Sequence, residues 1–222
     1  MKGEGNAPSL VIWRTYKGSE LKIYYKDEYV IVCEKEAGLL SEGEGKDCMP
    51  YLLAQELIGN GERSEIFTVH RLDRETSGIM VYARTKESAA ALSSAIIDGR
   101  FEKEYIAEIH GVPETSSGRL EDLLFYDRTK NRSYTVKRMR KGVKDAALEY
   151  EVVSSEDGIS RVRVKLLTGR THQIRVQFAS RKMPLVGDRK YGAPDTKRPL
   201  ALRACMLSFP HPKTAEIMRF ED

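Results

Sequence analysis

The fold and the chemistry of this chain are decided by one polar stretch, His70-Arg71-Leu72-Asp73-Arg74-Glu75-Thr76-Ser77-Gly78, which lies between β-prone runs at 66–69 and 78–83. Strands on both sides would hold the ends of this loop, and catalytic groups are commonly held in that way. Asp73 has an arginine on each side, so its carboxylate is kept ionised and is suited to act as a nucleophile, a base or a stabiliser of an oxocarbenium-like centre. On spacing alone, a solvated loop with a local ion pair is the better interpretation.

Outward from this stretch, apolar residues recur at strand and helix spacing. Strands are predicted at 21–25, 29–34, 66–69, 78–83, 103–110, 147–153, 159–167, 200–207 and 215–220. The first two are separated by the turn signal Lys26-Asp27-Glu28, which predicts a hairpin. Helices are predicted to begin at Met49 and after the N-cap residues Thr85 and Thr171, and to end at Gly59, Gly99 and the Met183-Pro184 step. These elements predict an α+β fold with a large, mainly antiparallel sheet, forming a single domain at 21–222 after an N-terminal tail at 1–20.

The composition is typical of a soluble globular protein. Of the 222 residues, 41% are hydrophobic and 32% are charged, which excludes both a disordered chain and a membrane protein. No stretch approaches the roughly 20 apolar residues that cross a bilayer, and residues 1–8 lack the apolar run of a signal peptide. The three cysteines are widely spaced and odd in number, which argues against a disulfide framework. We therefore expect a cytoplasmic protein that does not contact membranes.

Sequence motifs for cofactors and metals are missing. The run Gly43-Glu44-Gly45-Lys46 has the wrong spacing for a phosphate-binding loop, and neither a dinucleotide fingerprint nor a nucleophilic-serine motif occurs. The four histidines never form an H-x-x-x-H pair, so a zinc site is not expected. The sequence thus predicts chemistry without a cofactor and without a metal.

Positive charge is concentrated in two segments. Residues 126–144, the first basic segment, carry eight basic side chains and one acid, and residues 161–182, the second basic segment, carry seven basic side chains and no acid. Tyr126 and Tyr134 lie among the cations of the first. A single charge run usually marks a solvated face, but two runs, one of them interleaved with aromatic residues, favour a nucleic-acid surface.

The polar stretch belongs to a longer motif that resembles a known active site. Residues 70–86, H-R-L-D-R-E-T-S-G-I-M-V-Y-A-R-T-K, are similar almost residue for residue to the active-site motif of the RluA-like pseudouridine synthases. Four other blocks agree with this family in type and order: Lys35-Glu36-Ala37-Gly38-Leu39-Leu40, Lys103-Glu104-Tyr105-Ile106-Ala107, Thr168-Gly169-Arg170-Thr171-His172-Gln173-Ile174-Arg175-Val176, and Pro184-Leu185-Val186-Gly187-Asp188 with Tyr191-Gly192. The resemblance spans about residues 21–212, and it implies the pseudouridine synthase fold and the isomerisation of uridine in RNA.

The resemblance also implies roles for individual residues. Asp73 would be the catalytic carboxylate, Tyr105 would stack on the target uracil, and Arg175 would pair with the catalytic aspartate. Ile174 would line the pocket, and Arg71 would fill the space left when the target nucleotide is flipped out of its stack. Relatives carry a hairpin that closes on the RNA in the first basic segment. The residues expected to bind RNA are Arg128, Lys130, Arg132, Lys137, Arg138, Arg170 and His172.

Departures from the family pattern avoid the positions that carry the chemistry. The proline usual after the early lysine is Glu36, a histidine usual in the third motif is Gln177, and a histidine often found in the late strand is Arg203. Family members often have an N-terminal S4-like RNA-binding domain, for which residues 1–20 are too few. The catalytic domain is therefore expected to recognise RNA alone, as a monomer without an obligatory protein partner.

Two functions of other classes stay open at this point. One is a catalytically inactive RNA-binding module of the same fold, against which the intact Asp73, Tyr105 and Arg175 speak. The other is a glycoside hydrolase with Asp73 and Glu75 as its two carboxylates, which the basic surface disfavours. The sequence leaves open whether the RNA is ribosomal, transfer or both, which uridine is modified, and whether the aspartate attacks covalently, stabilises charge or removes a proton.

Overall fold

The computed structural model describes residues 12–16, 19–195 and 197–222, and the chain divides into two units. Unit 1 takes in residues 1–102 and 206–222, and unit 2 takes in residues 103–205. In both units, antiparallel strands outnumber helices. The predicted α+β fold with a mainly antiparallel sheet is therefore confirmed, while the single domain at 21–222 stays a prediction.

The described residues form twelve strands, three α-helices and one short 3-10 helix. In chain order these are β1 (Ile12–Tyr16), β2 (Ser19–Lys26), β3 (Val30–Lys35), α1 (Met49–Gly59), β4 (Phe67–Thr68), β5 (Ser77–Ala83), α2 (Lys86–Ile97), β6 (Glu102–His110), β7 (Ser117–Asp127), β8 (Arg132–Val136), β9 (Val143–Glu156), β10 (Ile159–Leu166), α3 (Gln173–Ala179), the 3-10 helix (Arg189–Tyr191), β11 (Leu202–Pro210) and β12 (Ile217–Glu221). No helix in this described part of the chain combines the length and the hydropathy needed to cross a membrane.

Most predicted elements are confirmed. β2 and β3 form the predicted antiparallel hairpin, and Asp27 shapes its turn by accepting hydrogen bonds from the amides of Tyr29 and Val30, both at 2.8 Å. The predicted N-cap Thr85 accepts a hydrogen bond from the amide of Ser88 at 3.1 Å. β9 and β10 pair as neighbours, as their alternating apolar residues predict.

Residues 12–16, within the tail predicted at 1–20, form β1 and pair antiparallel with β2, while residues 1–11, 17 and 18 of that tail lie outside the described part of the chain. The prediction for the start and end of α3 is wrong. Thr171 does not cap α3; the N-cap is His172, in a left-handed conformation with φ 54°, and the helix ends at Ala179, well before the Met183-Pro184 step. The side chain of Gln173 instead orders the segment before the helix, since its Oε1 accepts a hydrogen bond from the amide of Arg170 at 3.0 Å.

Unit 1 is organised around two strands that are buried along most of their length. β3 and β5 pair antiparallel and place Lys35 opposite Gly78, where β5 begins. Their nearly continuous apolar sequences follow from burial of both faces. The core around them includes Leu92 of α2, Phe101 and Phe209. The polar stretch at 70–76 leads directly into β5, so its carboxyl end is anchored in the best-packed part of the unit.

Unit 2 is an antiparallel sheet in the order β6-β10-β9-β7-β8. One face is apolar and buried, and it includes Tyr105, Ala107 and Ile109 of β6 with Val162 and Val164 of β10. The opposite face carries residues of alternating charge, one on each of four neighbouring strands. In the order β6, β10, β9 and β7, these directly opposed residues are Glu104, Lys165, Glu149 and Arg119. Opposite charges placed directly across strands stabilise a solvated sheet face.

A methyl group has no room at Gly187, in the segment that precedes the 3-10 helix. Its φ is +74°, and an added Cβ would overlap the backbone of Pro199. We predict that Gly187→Ala lowers the free energy of unfolding by roughly 2–4 kcal/mol, because backbone strain and the clash add together. Gly192→Ala is the matched control, since Gly192 has φ +89° and no atom lies within 4 Å of the added carbon. That variant should lose only about 1 kcal/mol. Urea denaturation measures both losses, and equal values would contradict the packing argument.

Candidate active site

The loop that carries Asp73 is held on both sides of that residue. Before it, Ser41 Oγ donates a hydrogen bond to the carbonyl oxygen of Leu72 at 2.7 Å and accepts one from the amide of Leu72 at 2.9 Å. After it, the amide of Gly38 donates to the carbonyl oxygen of Arg74 at 2.7 Å, and Arg74 Nε donates to the carbonyl oxygen of Gly38 at 2.8 Å. The backbone flanking Asp73 is thereby fixed to the segment that follows β3.

A buried lysine supports the same loop from the protein interior. Lys35 is 0% exposed, and its Nζ donates hydrogen bonds to the carbonyl oxygens of Glu36 at 3.0 Å, Arg74 at 3.1 Å and Thr76 at 2.7 Å. An ammonium group has three N–H donors, and here three acceptors meet them. Burial lowers the pKa of Lys35 from 10.5 to about 8, while the negative charge of Asp73 acts in the opposite direction. Lys35 therefore both positions the loop and attracts the carboxylate of Asp73.

The remaining supports of the loop come from β5. His70 Nε2 accepts a hydrogen bond from the amide of Val81 at 3.1 Å, and its ring lies edge-on to Phe101 at 5.1 Å between centroids. The hydroxyl of Tyr82 donates to the carbonyl oxygen of Ser41 at 2.9 Å. Both contacts tie the loop, or the segment that holds it, to a strand whose residues are almost all buried.

Both arginines beside Asp73 face acids of another loop. Arg71 Nη1 lies 2.6 Å from Glu42 Oε1, and Arg74 Nη2 lies 3.9 Å from Asp47 Oδ2. The side chains of Arg71 and Glu42 are 60% and 52% exposed, so this pair is on the surface. The sequence interpretation, in which these two arginines keep Asp73 ionised, misses that each has an acid of its own.

In unit 2, Arg175 is held by a buried carboxylate. Its Nε and Nη2 donate to the two oxygens of Asp188 at 2.7 and 2.8 Å, and the two residues are 2% and 1% exposed. Asp188 also accepts a hydrogen bond from the amide of Tyr191 at 3.2 Å, and the guanidinium lies 5.3 Å from the centroid of the Tyr191 ring. A two-pronged pair of this kind fixes both the position and the plane of the guanidinium.

Tyr191 links α3 to the hairpin of β7 and β8. Its hydroxyl oxygen accepts a hydrogen bond from the amide of Ser133 at 2.8 Å and lies 3.0 Å from Nδ1 of His172, the N-cap of α3. Ser133 Oγ donates to the carbonyl oxygen of Thr171 at 2.5 Å. Burial raises the pKa of Tyr191 to about 12, so the hydroxyl stays protonated at neutral pH. The guanidinium of Arg132, on β8, lies 5.0 Å from the same ring.

The other predicted pocket residues are also in unit 2. Tyr105 is 5% exposed and faces Val164 in the register of β6 and β10, and Ile174 of α3 is 4% exposed. Asp73 and Arg71 belong to unit 1. The predicted site residues thus fall into two groups. In the second, Ile174 and Arg175 are adjacent on α3, and Arg175 is oriented by Asp188 and Tyr191.

The first basic segment forms β8 and the two loops beside it. In the turn before β8, Asp127 Oδ1 accepts hydrogen bonds from the hydroxyl of Thr129 and from the amide of Lys130. These hydrogen bonds lower the pKa of Asp127, and the one from Thr129 has the largest effect. Six exposed cations of these loops form no ion pair within the described residues: Arg128, Lys130, Lys137, Arg138, Arg140 and Lys141. They are therefore available to an anionic partner.

The second basic segment is not the free cationic surface that its sequence predicts. Arg163 pairs with Glu104 at 2.8 Å, and Arg181 pairs with Asp122 at 2.8 Å. Arg175 is buried against Asp188, as described above, and Arg170 Nε donates to the carbonyl oxygen of Asp145 at 2.8 Å. The acids that pair with Arg163, Arg175 and Arg181 come from other parts of the chain, so the local sequence gives no sign of them.

Sequence reasoning missed four residues that hold the candidate site. Lys35, Gly38 and Asp188 lie in the matching blocks, but the motifs by themselves indicate no role for them, and Ser41 belongs to no motif. A lysine at the end of an apolar strand is a usable signal, because a buried ammonium requires several acceptors nearby. Asp188 carries no comparable local signal. Within the described residues, no three His, Cys, Asp or Glu side chains converge to hold a metal ion.

Comparisons with known proteins agree on one family. The family model described as RNA pseudouridylate synthase matches residues 29–180. The dual-specificity RNA pseudouridine synthase RluA of Escherichia coli strain K12 is 34% identical over 209 residues, which cover 90% of this chain and 92% of that protein. The uncharacterized RNA pseudouridine synthase YlyB of Bacillus subtilis is 30% identical, over 91% of this chain and 68% of that protein. The solved structure of human RNA pseudouridylate synthase domain containing 4 superposes with a TM-score of 0.75 at 25% identity, over 90% of this chain and 87% of that one.

Lys35→Met is predicted to lower the free energy of unfolding by about 2–4 kcal/mol, because three buried carbonyl groups lose their donor. The loss should grow as the pH rises from about 8 toward 10.5. Over that range the folded wild-type protein binds fewer protons at Lys35 than the unfolded chain does, so this group increasingly favours the folded state. Urea denaturation at several pH values measures the difference between the two proteins.

The control for this prediction is Lys213→Met, which makes the same chemical change at an exposed position. It should cost less than about 0.5 kcal/mol. A Lys35→Met loss as small as that of the control would show that the three hydrogen bonds do not hold the loop.

Proposed function

This chain belongs to the RNA pseudouridine synthase family, a family of isomerases, and we propose that it converts specific uridines of ribosomal RNA, transfer RNA or both into pseudouridine, with Asp73 as the catalytic carboxylate. The predicted pseudouridine synthase fold agrees with the fold of the solved human structure. The observation that most supports the role of Asp73 is the immobilised loop around it, since Ser41, Gly38 and Lys35 hold the backbone on both sides.

The reaction needs a positioned carboxylate and little else. The bond between N1 of uracil and C1′ of ribose breaks, the base turns without leaving, and C5 bonds to C1′. The hydrogen on C5 leaves as a proton and N1 gains one, so atoms and electrons balance without an oxidant, a reductant or a group donor. Asp73 takes part in this reaction by covalent attack at C1′, by stabilising positive charge there, or by removing a sugar proton.

Fixing the backbone that carries the carboxylate is itself a contribution to the rate. A group fixed at the reacting carbon avoids the entropic cost of being brought there in each turnover. Lys35 adds a positive charge that attracts the carboxylate of Asp73.

Residues of unit 2 are proposed to hold the uracil and to balance the charge of Asp73. Tyr105 would stack on the base and retain it while it is detached, and Ile174 would form an apolar wall of the pocket. Arg175 would pair with Asp73 in the assembled site. Support for these roles comes from the burial of all three and from Asp188, which sets the plane of the Arg175 guanidinium.

The exposed cations of the first basic segment are proposed to bind RNA phosphates. They form no ion pairs within the described chain, so their charge is available to a polyanion. Arg132 would assist from β8, beside the ring of Tyr191. For Arg170 and His172 the structure favours an indirect role, since one donates to the carbonyl oxygen of Asp145 and the other lies against Tyr191.

Base flipping and a cytoplasmic location complete the proposal. A uridine inside folded RNA must leave its stack to reach a carboxylate at C1′, and Arg71 would fill the space that it leaves. The three cysteines are free thiols, which is typical of a reducing compartment, and ribosomal and transfer RNA are available in the cytoplasm.

Asp73→Asn is predicted to abolish the release of tritium from RNA labelled at C5 of uridine, because forming the C5–C1′ bond expels that hydrogen by every route. Total RNA from a strain that lacks this gene is the substrate. Binding of the same RNA, measured by filter retention, should be retained within a few-fold, since the substitution changes one oxygen to nitrogen. Glu75→Gln is the matched control at the neighbouring carboxylate and should keep its activity.

The outcomes separate the competing functions. Tritium release by the wild type that Asp73→Asn removes supports an active synthase with this carboxylate. RNA binding without release by the wild type would instead indicate an inactive RNA-binding module. No tritium release by the wild type, together with hydrolysis of chromogenic glycosides that both Asp73→Asn and Glu75→Gln abolish, would point to a glycoside hydrolase with two carboxylates.

Lys137→Ala and Arg138→Ala are each predicted to weaken RNA binding and to reduce the slope of log affinity against log salt by about one, because each removes a phosphate contact. Arg119→Ala is the control, since Arg119 is an exposed arginine that already pairs with Glu121. Its salt slope should match that of the wild type. A slope unchanged in all three variants would place the phosphate contacts elsewhere.

A further inference from the structure

An acidic loop stands beside the arginine that precedes Asp73. This acidic loop, residues 41–47, contains Glu42, Glu44 and Asp47 but only one cation, Lys46. Its ends are joined where the amide of residue 40 donates to the carbonyl oxygen of Asp47 at 2.9 Å and the amide of residue 49 donates back to residue 40 at 2.9 Å. The loop is therefore a closed structure that holds its acids in place.

The shape of the acidic loop presents Glu42 to Arg71. Gly43 and Gly45 have φ of +114° and +144°, and Cys48 Sγ donates to their carbonyl oxygens at 3.1 and 2.9 Å. With the loop folded in this way, Glu42 Oε1 receives Arg71 Nη1 at 2.6 Å. Both glycines adopt conformations that side chains rarely allow, so the sequence of the loop suits this geometry.

The pairing gives Arg71 a different electrostatic character from the cations of the first basic segment. Lys137 and Arg138 form no ion pair within the described residues, whereas Arg71 is neutralised by a carboxylate at hydrogen-bond distance. A phosphate that approached Arg71 would have to displace Glu42 or lie beside its negative charge, and either event opposes binding. A paired guanidinium nevertheless keeps its flat face, on which a base can stack.

We propose that Glu42 is a specificity-determining residue. By neutralising Arg71 it prevents this arginine, two residues before Asp73, from anchoring the phosphates of any passing RNA, and it leaves Arg71 to fill the space of the nucleotide that flips into the site. General affinity then comes from the unpaired cations of the first basic segment, and discrimination comes from the region around Asp73. This inference rests on the proposed function, since it takes RNA as the ligand.

Glu42→Gln tests the inference, with Glu44→Gln as the matched control. Both variants remove one negative charge from the acidic loop, but only Glu42 contacts Arg71. The probe is polyadenylate, which contains no uridine and so cannot be a substrate. Glu42→Gln should bind it roughly two- to five-fold more tightly, the range of an exposed ion pair. Its slope of log affinity against log salt should steepen by about 0.7, the value for one added phosphate contact on a single strand. Glu44→Gln should leave that slope unchanged.

Two further measurements connect the effect to Arg71 and to the reaction. In an Arg71→Ala background, Glu42→Gln should no longer change the salt slope. In the tritium-release assay, polyadenylate should inhibit Glu42→Gln at a several-fold lower concentration than it inhibits the wild type.

The results that would overturn the inference are specific to it. Equal effects of Glu42→Gln and Glu44→Gln, or an effect that persists without Arg71, would show that only net charge matters. A weaker binding of polyadenylate by Glu42→Gln would also refute it. These outcomes leave tritium release by the wild type intact, whereas an absence of release would refute the proposed function itself.

Discussion

The candidate site of unit 1 depends on the hydrogen bonds that the ammonium group of Lys35 donates to three backbone carbonyl oxygens. A charge buried this completely is stable only where acceptors surround it, and the acceptors here are carbonyl groups that include those of Arg74 and Thr76. Lys35 is the last residue of β3, a strand buried in the core. Its hydrogen bonds therefore attach the loop that carries Asp73 to a well-packed part of the protein. The same burial lowers the pKa of Lys35, because removal from water disfavours the charged ammonium that donates all three hydrogen bonds.

Cations in this protein have two distinct uses. Six cations in the loops of the first basic segment are exposed and form no ion pair within the described residues, whereas those of the second segment mostly meet acids or carbonyl groups. Arg71 and Arg175 belong to the paired kind, and each is oriented by one carboxylate, Glu42 or Asp188. Pairing with an acid fixes the position of an arginine side chain, as a binding site requires, whereas an unpaired arginine can bind any phosphate of a polyanion.

The hairpin of β7 and β8 and helix α3 are held as one assembly within unit 2. Tyr191 connects them, because its hydroxyl contacts both Ser133 and His172 while its ring lies beside Arg132 and Arg175. The raised pKa of this tyrosine keeps the connection neutral across the physiological range. The RNA-facing hairpin of the proposed function is in this way coupled to the helix that carries Ile174 and Arg175.

The amino-acid sequence by itself determined most of the elements and the candidate carboxylate. Apolar periodicity located β3, β5 and α2, and the resemblance of residues 70–86 to a family motif singled out Asp73, because these signals depend on residues close together in the chain. Only the tertiary structure decided the partners: three carbonyl groups for Lys35, Asp188 for Arg175, a left-handed His172 in place of the predicted cap, and acids for the second basic segment. The physical reason is that an ion pair or a buried hydrogen bond is chosen by which distant residue the fold brings near, and local sequence does not encode that choice.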